Sequence, residues 1–283
     1  MHDVLQSMRI DLEMRELTEN TVSTYLRYAG RFIAEVGVPL RKVTRDDVRQ
    51  YLLRLRAQGV SPETRNVALC AIRFLFSTTL RRPRATEGIR RARTQPKVPV
   101  ILSRSDMAHL LAAIESITYR AMVAVLYGCG LRVSEMCAIR ICDIDSERMQ
   151  LRIAQGKTGQ RYARLTPAVV RALRAYYRAR RPKGPYLFPG RGTGRPITRV
   201  AVGMALSTVS QQLGFRKRVH PHLLRHAFAV HLLELGTDLR TVQLLLGHRC
   251  ISSTARYLQL SRAQLAKAPS PIDLISSSVP LLN

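Results

Sequence analysis

At 283 residues the chain exceeds what one ordinary hydrophobic core organises, so two domains are expected. Hydrophobic content of 46% with 23% charged residues excludes wholesale disorder, and the longest uncharged run, residues 200–215, is too short and too rich in Ser, Thr and Gln to span a bilayer. The 46 Lys and Arg against 19 Asp and Glu, a net charge of +27, call for a polyanionic partner, either nucleic acid or an anionic membrane surface.

Residues 1–95 carry 18 basic and 10 acidic side chains, residues 96–283 carry 28 and 9, so both parts are expected to touch that partner. Six of the 46 cations are Lys and the rest are Arg, whose planar fork grips phosphate bidentately. Arg-favouring codon usage accounts for part of that ratio and none of the net charge. The five cysteines form an odd set without a CxxC pair, which points to reduced thiols and a cytoplasmic protein. The N-terminal residues lack the charged segment and apolar stretch of a secretion signal.

In chain order, the first part reads as helices. After an opening segment, Thr18 is placed to cap a helix carrying Val22, Tyr25, Leu26, Ala29, Phe32 and Ile33 at helical spacing, ending at Gly37. Thr44 with Asp46 and Asp47 starts another, with Val48, Tyr51, Leu52 and Leu55, ending at Gly59. Ser61-Pro62-Glu63 starts a third, with Val67, Ala68, Ala71, Ile72, Leu75 and Phe76 along it. With the opening segment this predicts a four-helix bundle over residues 1–82.

Residues 83–100 hold Arg84, Arg90, Arg91, Arg93 and Lys97 among three prolines and little apolar periodicity, and read as a basic linker, either a solvated tether or a strap against a duplex. Ser103 to Asp106 opens a second domain, residues 101–265, with two helices to about Tyr127. Residues 149–154 and 161–165 alternate like two short strands around Gly156-Lys157-Thr158-Gly159. Thr166-Pro167 starts another helix, a Pro- and Gly-rich loop spans 182–196, and helices resume near Thr198. Residues 266–283 form a tail in which prolines and serines separate apolar residues from Ile272 to Leu282. The fold class is therefore mainly α with a small β-sheet in the C-terminal domain.

Five local patterns in the second domain carry chemistry. Arg132 follows a Gly-Cys-Gly break and begins a short helix with its guanidinium directed out of the fold; Glu135, three residues on, shares its face and can orient it or a neighbouring cation. His222 and Arg225 are also three apart, so both project from one helix face. His222 and His226 at a spacing of four could instead form a zinc pair, but no carboxylate lies between Arg216 and Leu233. Lys157 in Gly-Lys-Thr resembles the end of a phosphate-binding P-loop, yet Leu151 stands where that motif needs Gly. His248 follows Leu-Leu-Gly, where a capping His is the bland alternative, and Tyr257 comes nine residues later on a helix expected to start near Ser252. Taken alone, a solvated Arg or Lys and a packed Tyr are ordinary outcomes; it is the order and spacing of all five that stands out.

Gly-Leu-Arg-Val-Ser-Glu at 130–135, Gly-Lys-Thr-Gly at 156–159, His-Leu-Leu-Arg-His at 222–226, Leu-Leu-Gly-His at 245–248 and Tyr257 together resemble the tyrosine site-specific recombinases, the phage integrase and Xer-like family, over residues 101–262. The resemblance implies a two-domain C-shaped DNA clamp, with a SAM-like core-binding domain before the catalytic domain. It implies metal-independent cleavage and rejoining of DNA through a transient 3′-phosphotyrosine at Tyr257, with Arg132, Lys157, His222, Arg225 and His248 as the other catalytic residues, Glu135 in support, and no cofactor. Lys157 would protonate the leaving oxygen. Implied partners are duplex DNA with inverted-repeat core sites and further copies of the chain in a tetramer, alone or with a second recombinase, on the bacterial nucleoid and not at a membrane. The tail would dock on a neighbouring protomer. A silent DNA-binding accessory protein and a type IB topoisomerase are the alternatives.

Overall fold

The computed structural model describes residues 2–94, 101–154, 159–192, 194–255 and 257–258. The chain divides into two units, residues 1–97 and 98–283.

The first unit is built from α1 (His2–Glu13), α2 (Glu19–Glu35), α3 (Arg45–Ala57) and α4 (Pro62–Phe74), the last continuing through a wider turn at Leu75–Thr79. Thr44 and Asp47 form a reciprocal capping box at α3: the Thr44 hydroxyl accepts from the Asp47 N–H at 3.3 Å and the Asp47 carboxylate from the Thr44 N–H at 2.7 Å. Ser61 caps α4 from the Thr64 N–H, with Pro62 in the first turn. Thr18 caps α2 differently from expectation, because its hydroxyl pairs with that of Thr21 and leaves the backbone N–H groups aside. The expected apolar positions other than Val67, which is exposed, are buried or partly buried around a core in which Phe32 lies edge-on to Tyr51 and Phe76, ring centres 5.1 and 5.9 Å apart. Burying each such side chain stabilises the unit by about 1.5–3 kcal/mol.

The expected linker does not leave the surface at Pro83. Ala85 and Ile89, four apart, are buried against the helical core. Arg73 donates to the Ile89 carbonyl at 2.7 Å, and Asn66 both donates to the Ala92 carbonyl and accepts from the Ala92 N–H, at 3.0 and 2.8 Å. Two spaced apolar residues and one amide thus bind a segment whose arginines alone made it read as a tether. Residues 95–100 lie outside the described residues.

The second unit contains α5 (Arg104–Ala113), α6 (Ile117–Gly128), α7 (Val133–Cys137), β1 (Ile144–Asp145), β2 (Gln150–Ile153), β3 (Arg161–Arg164), α8 (Pro167–Arg180), α9 (Arg199–Gln212), α10 (Pro221–Glu234), α11 (Leu239–Leu246) and α12 (Ser252–Ala255). Side-chain caps start the helices where the sequence places them, at Ser103, Thr166 and Thr198. The three strands form an antiparallel sheet in the order β1-β2-β3, with Leu151 opposite Ala163 and Ile153 opposite Arg161. Leu151, Ile153 and Ala163 bury the inner face of this hairpin, while Arg152 and Tyr162 take the outer one. The two-residue β1 is an addition to the expected pair.

α6 packs on α8 so closely that a Cβ on Gly128 would lie 2.4 Å from the Val169 side chain. α6 also packs on α10, whose apolar residues Leu223, Leu224 and Ala227 are buried in the main core. A smaller core of Ala229, Val230, Leu233, Val242, Leu246 and Tyr257 joins α10, α11 and the turn after α12. Among the described residues no helix is long and apolar enough to cross a membrane.

Candidate active site

Gly130 and Arg132 begin the site. Gly130, at φ +62°, turns the chain out of α6 where a Cβ would lie 2.4 Å from the Phe228 ring. Arg132 then stands at the N-terminus of α7, and its backbone N–H donates to Glu135 at 2.9 Å. The Arg132 guanidinium does not point away from the fold as expected. It turns back onto the Glu135 carboxylate at 2.7 Å and leaves its side chain 21% exposed.

Glu135 is buried and gathers more than one cation. Arg161, at the start of β3, donates to its second oxygen at 2.9 Å, and Arg225 of α10 lies 3.8 Å from the same oxygen. Burial alone would raise the Glu135 pKa; Arg161, the Arg132 N–H and the Arg132 guanidinium outweigh it and hold the carboxyl below its ordinary value. Arg225 is 3% exposed, and burial followed by the charge of Arg132 lowers its pKa to about 10, partly offset by Glu135. It stays protonated at neutral pH. Three guanidiniums around one carboxylate leave an excess of positive charge, the condition for holding a phosphate anion.

The same three arginines meet the end of α11. Arg161 donates to the Leu245 carbonyl at 3.0 Å, Arg225 to Leu246 at 2.6 Å and Arg132 to Gly247 at 3.5 Å. These are carbonyls a helix C-terminus leaves unpaired, and cations there also match the helix dipole. Arg225 takes the Gly130 carbonyl as well, at 2.7 Å, which ties the Arg132 turn to α10. Gly247 ends α11 at φ +62°, and a Cβ there would lie 2.6 Å from Cδ of Arg161.

His248 follows directly and pairs through Nδ1 with the Thr254 hydroxyl at 2.8 Å, Thr254 being fully buried. Tyr257 lies in the turn after α12, beyond the helix expected to hold it, because α12 ends at Ala255. Its N–H donates to the Thr254 carbonyl at 2.9 Å. The Tyr257 ring is 2% exposed, lies nearly parallel to that of His248 with centres 6.4 Å apart, and its hydroxyl shares a 2.8 Å hydrogen bond with Nδ1 of His226.

His222, in the first turn of α10, is exposed at the rim. Desolvation of its ring, then the charges of His220, Arg225 and Arg132, lower its pKa, so it is neutral at physiological pH and a donor or acceptor through either nitrogen. Arg225, three residues on, is buried while His222 is exposed, and the charges of Arg225 and Arg132 both reach its ring. The structure brings Arg132, Glu135, Arg225, His248 and Tyr257 together, with His222 at the edge. Lys157 lies outside the described residues.

Two contributors escaped the sequence reading. Arg161 occupies the inward register of β3 together with Ala163, and a cation on the apolar face of a strand was the available signal. His226 was weighed only as a metal partner of His222, although a polar residue beside Arg225 on an otherwise apolar helix marks the same place.

The model of the phage integrase family matches residues 101–264, and that of the phage integrase N-terminal SAM-like domain matches residues 4–86. Tyrosine recombinase XerD of Caulobacter vibrioides is 34% identical, over 89% of this chain and 90% of its own. Tyrosine recombinase XerA of Pyrococcus furiosus is 30% identical, over 98% and 96%. Among solved structures, the Tn1549 transposon integrase in complex with transposon right end DNA superposes with a TM-score of 0.73 at 20% identity, covering 97% of this chain and 98% of that one. A lambda integrase dimer bound to a core site gives 0.73 at 18% identity, over 89% and 96%. At those identities the structural likeness establishes the fold.

Proposed function

This chain belongs to the phage integrase family and is a tyrosine site-specific recombinase, an enzyme that cleaves and rejoins DNA strands; from that premise we propose that Tyr257 is its nucleophile and that Arg132 and Arg225 hold the scissile phosphate. The observation that supports this most is the sharing of Glu135 and the α11 C-terminus by Arg132 and Arg225, with the Tyr257 turn packed on the same helix end.

The Tyr257 oxygen attacks phosphorus, the bond to the 5′-oxygen breaks, and a 3′-phosphotyrosine forms. Arg132 and Arg225 neutralise the charge that grows on the non-bridging oxygens. His222 and His248 hydrogen-bond those oxygens, and Lys157 protonates the departing 5′-oxygen. Rejoining is the reverse: a 5′-hydroxyl attacks the phosphotyrosine and the phenol leaves, so bond energy is conserved without a cofactor. A free phenol titrates near 10 and is protonated at neutral pH, which makes surrounding positive charge useful to the attack.

The partner is duplex DNA, and the lambda integrase dimer solved on a core site supports such a site as the element recognised. On this reading the N-terminal unit binds the core site, the sites are inverted repeats, and four protomers exchange strands in the cytoplasm, with residues 266–283 docking between them.

A pool of nicked duplexes of randomised sequence, incubated with the protein and resolved on denaturing gels, captures the cleavable site as a covalent adduct. Tyr257→Phe should shift the captured duplex on native gels like the wild type and form no adduct. An adduct that survives in Tyr257→Phe overturns the assignment of the nucleophile.

A further inference from the structure

Arg161 touches two parts of the site that the reaction has to keep in register. One arm of its guanidinium donates to Glu135, the carboxylate under Arg132; the other donates to the Leu245 carbonyl, three residues before His248. Its stem runs past Gly247 so closely that only glycine fits there, and its backbone is set by pairing with Ile153 in the β2–β3 ladder. The side chain is 12% exposed, and its Nε is buried with no hydrogen-bond partner among the described residues. An unpaired buried donor costs stability, so the site keeps this side chain despite a penalty that a packed apolar residue would avoid.

Both Nη groups bond the protein, and the side chain is less exposed than that of Arg132, 12% against 21%. We propose that Arg161 is a positioning residue for strand cleavage, fixing Arg132, through Glu135, and His248, through the end of α11, in one frame. This rests on the reading of Tyr257 and Arg132 given above. A lysine cannot replace it, because one ammonium on a flexible stem does not span two acceptors on different elements as a planar fork does.

The test uses full-length protein and the captured nicked duplex, with single-turnover adduct formation, DNA affinity and melting recorded for each variant. Arg161→Gln is expected to bind the duplex within about threefold of wild type and to form the adduct about tenfold or more slowly, the pattern of an interaction used in the transition state. Its loss should multiply only in part with that of Glu135→Gln, since one of its two bonds goes to that carboxylate. The groups facing Glu135 are Arg132, Arg161 and Arg225; with Arg161 gone the carboxyl gains protons more readily, so the acid limb of the cleavage rate should move to higher pH. Should Arg161→Gln fail to fold, Arg161→Lys keeps the charge and is still expected to cleave severalfold more slowly. A wild-type rate in either variant, losses that multiply in full with Glu135→Gln, or an unmoved pH profile overturns the proposal. A wild-type protein that forms no adduct refutes the Tyr257 reading instead.

Discussion

The two ends of the site are held by different physics. At the cation end, Arg132, Arg161 and Arg225 converge on buried Glu135 and on consecutive carbonyls of α11, so charge and hydrogen bonding fix the same atoms from several elements. At the other end, around Tyr257, the proposed nucleophile, the bonds described join two imidazoles, two hydroxyls, a backbone N–H and a backbone carbonyl: His226 to Tyr257, His248 to Thr254, Tyr257 N–H to Thr254. The first arrangement is expensive to break, because any lost member leaves a buried charge without its partner. The second consists, in the bonds described, of hydrogen bonds of about 1 kcal/mol each beside the buried Tyr257 ring. Changes at the cation end should therefore cost folding and chemistry together, and changes at the nucleophile end chemistry above all.

The largest effect is expected from Glu135→Gln, which strands Arg161 and Arg225 in a buried site and should cost about 3–5 kcal/mol in urea unfolding of the full chain. The sign with pH follows from the lowered pKa. The carboxylate stabilises the fold above the ordinary carboxylate range, and this contribution is lost as pH falls through the depressed folded value. Stability of Glu135→Gln should accordingly decline less steeply in acid than that of the wild type; parallel acid limbs would show that Glu135 is not the titrating anchor. Gly247→Ala comes next, at about 1–3 kcal/mol, since the residue sits at φ +62° and its new Cβ meets the Arg161 stem. An unchanged melting temperature would mean that the α11 turn yields easily, and the contrast between the two ends would weaken. Smallest in stability is Thr254→Val, which removes one hydrogen bond to His248 and should cost about 1 kcal/mol. Its adduct formation should nevertheless slow severalfold; stability and cleavage falling in the reverse proportion would erase the distinction.

Much of the fold was legible because it rests on short-range chemistry. Thr44, Ser61, Ser103 and Thr166 cap helices where hydroxyl-containing starts precede apolar periodicity, and the hairpin follows from alternation at 149–154 and 161–165. β1 was not legible, since two residues carry no periodicity and exist as a strand only through pairing with β2. The docking of residues 83–92 escaped for a related reason: Asn66 binds Ala92 across a separation that local patterns do not report. Within the site, Arg132, Glu135, Arg225, His248 and Tyr257, expected from motif and spacing, lie together, while orientation did not follow from spacing. Arg132 folds inward because Glu135 and the α11 carbonyls are there to receive it, and those partners come from distant parts of the chain. Arg161 and His226 were missed because their significance lies in the contact each makes and not in a repeating pattern.

Phe228 gives the turn at Gly130 a further meaning. The ring fills the space beside Gly130, three residues along α10 from Arg225, whose guanidinium holds the Gly130 carbonyl. The helix that carries one arginine is thus also the mould for the loop that carries the other. Both contacts of the Gly130 turn, with the Phe228 ring and with the Arg225 guanidinium, come from one helix. A change of the apolar side chain at Phe228 therefore acts on the turn before Arg132 without altering any charge.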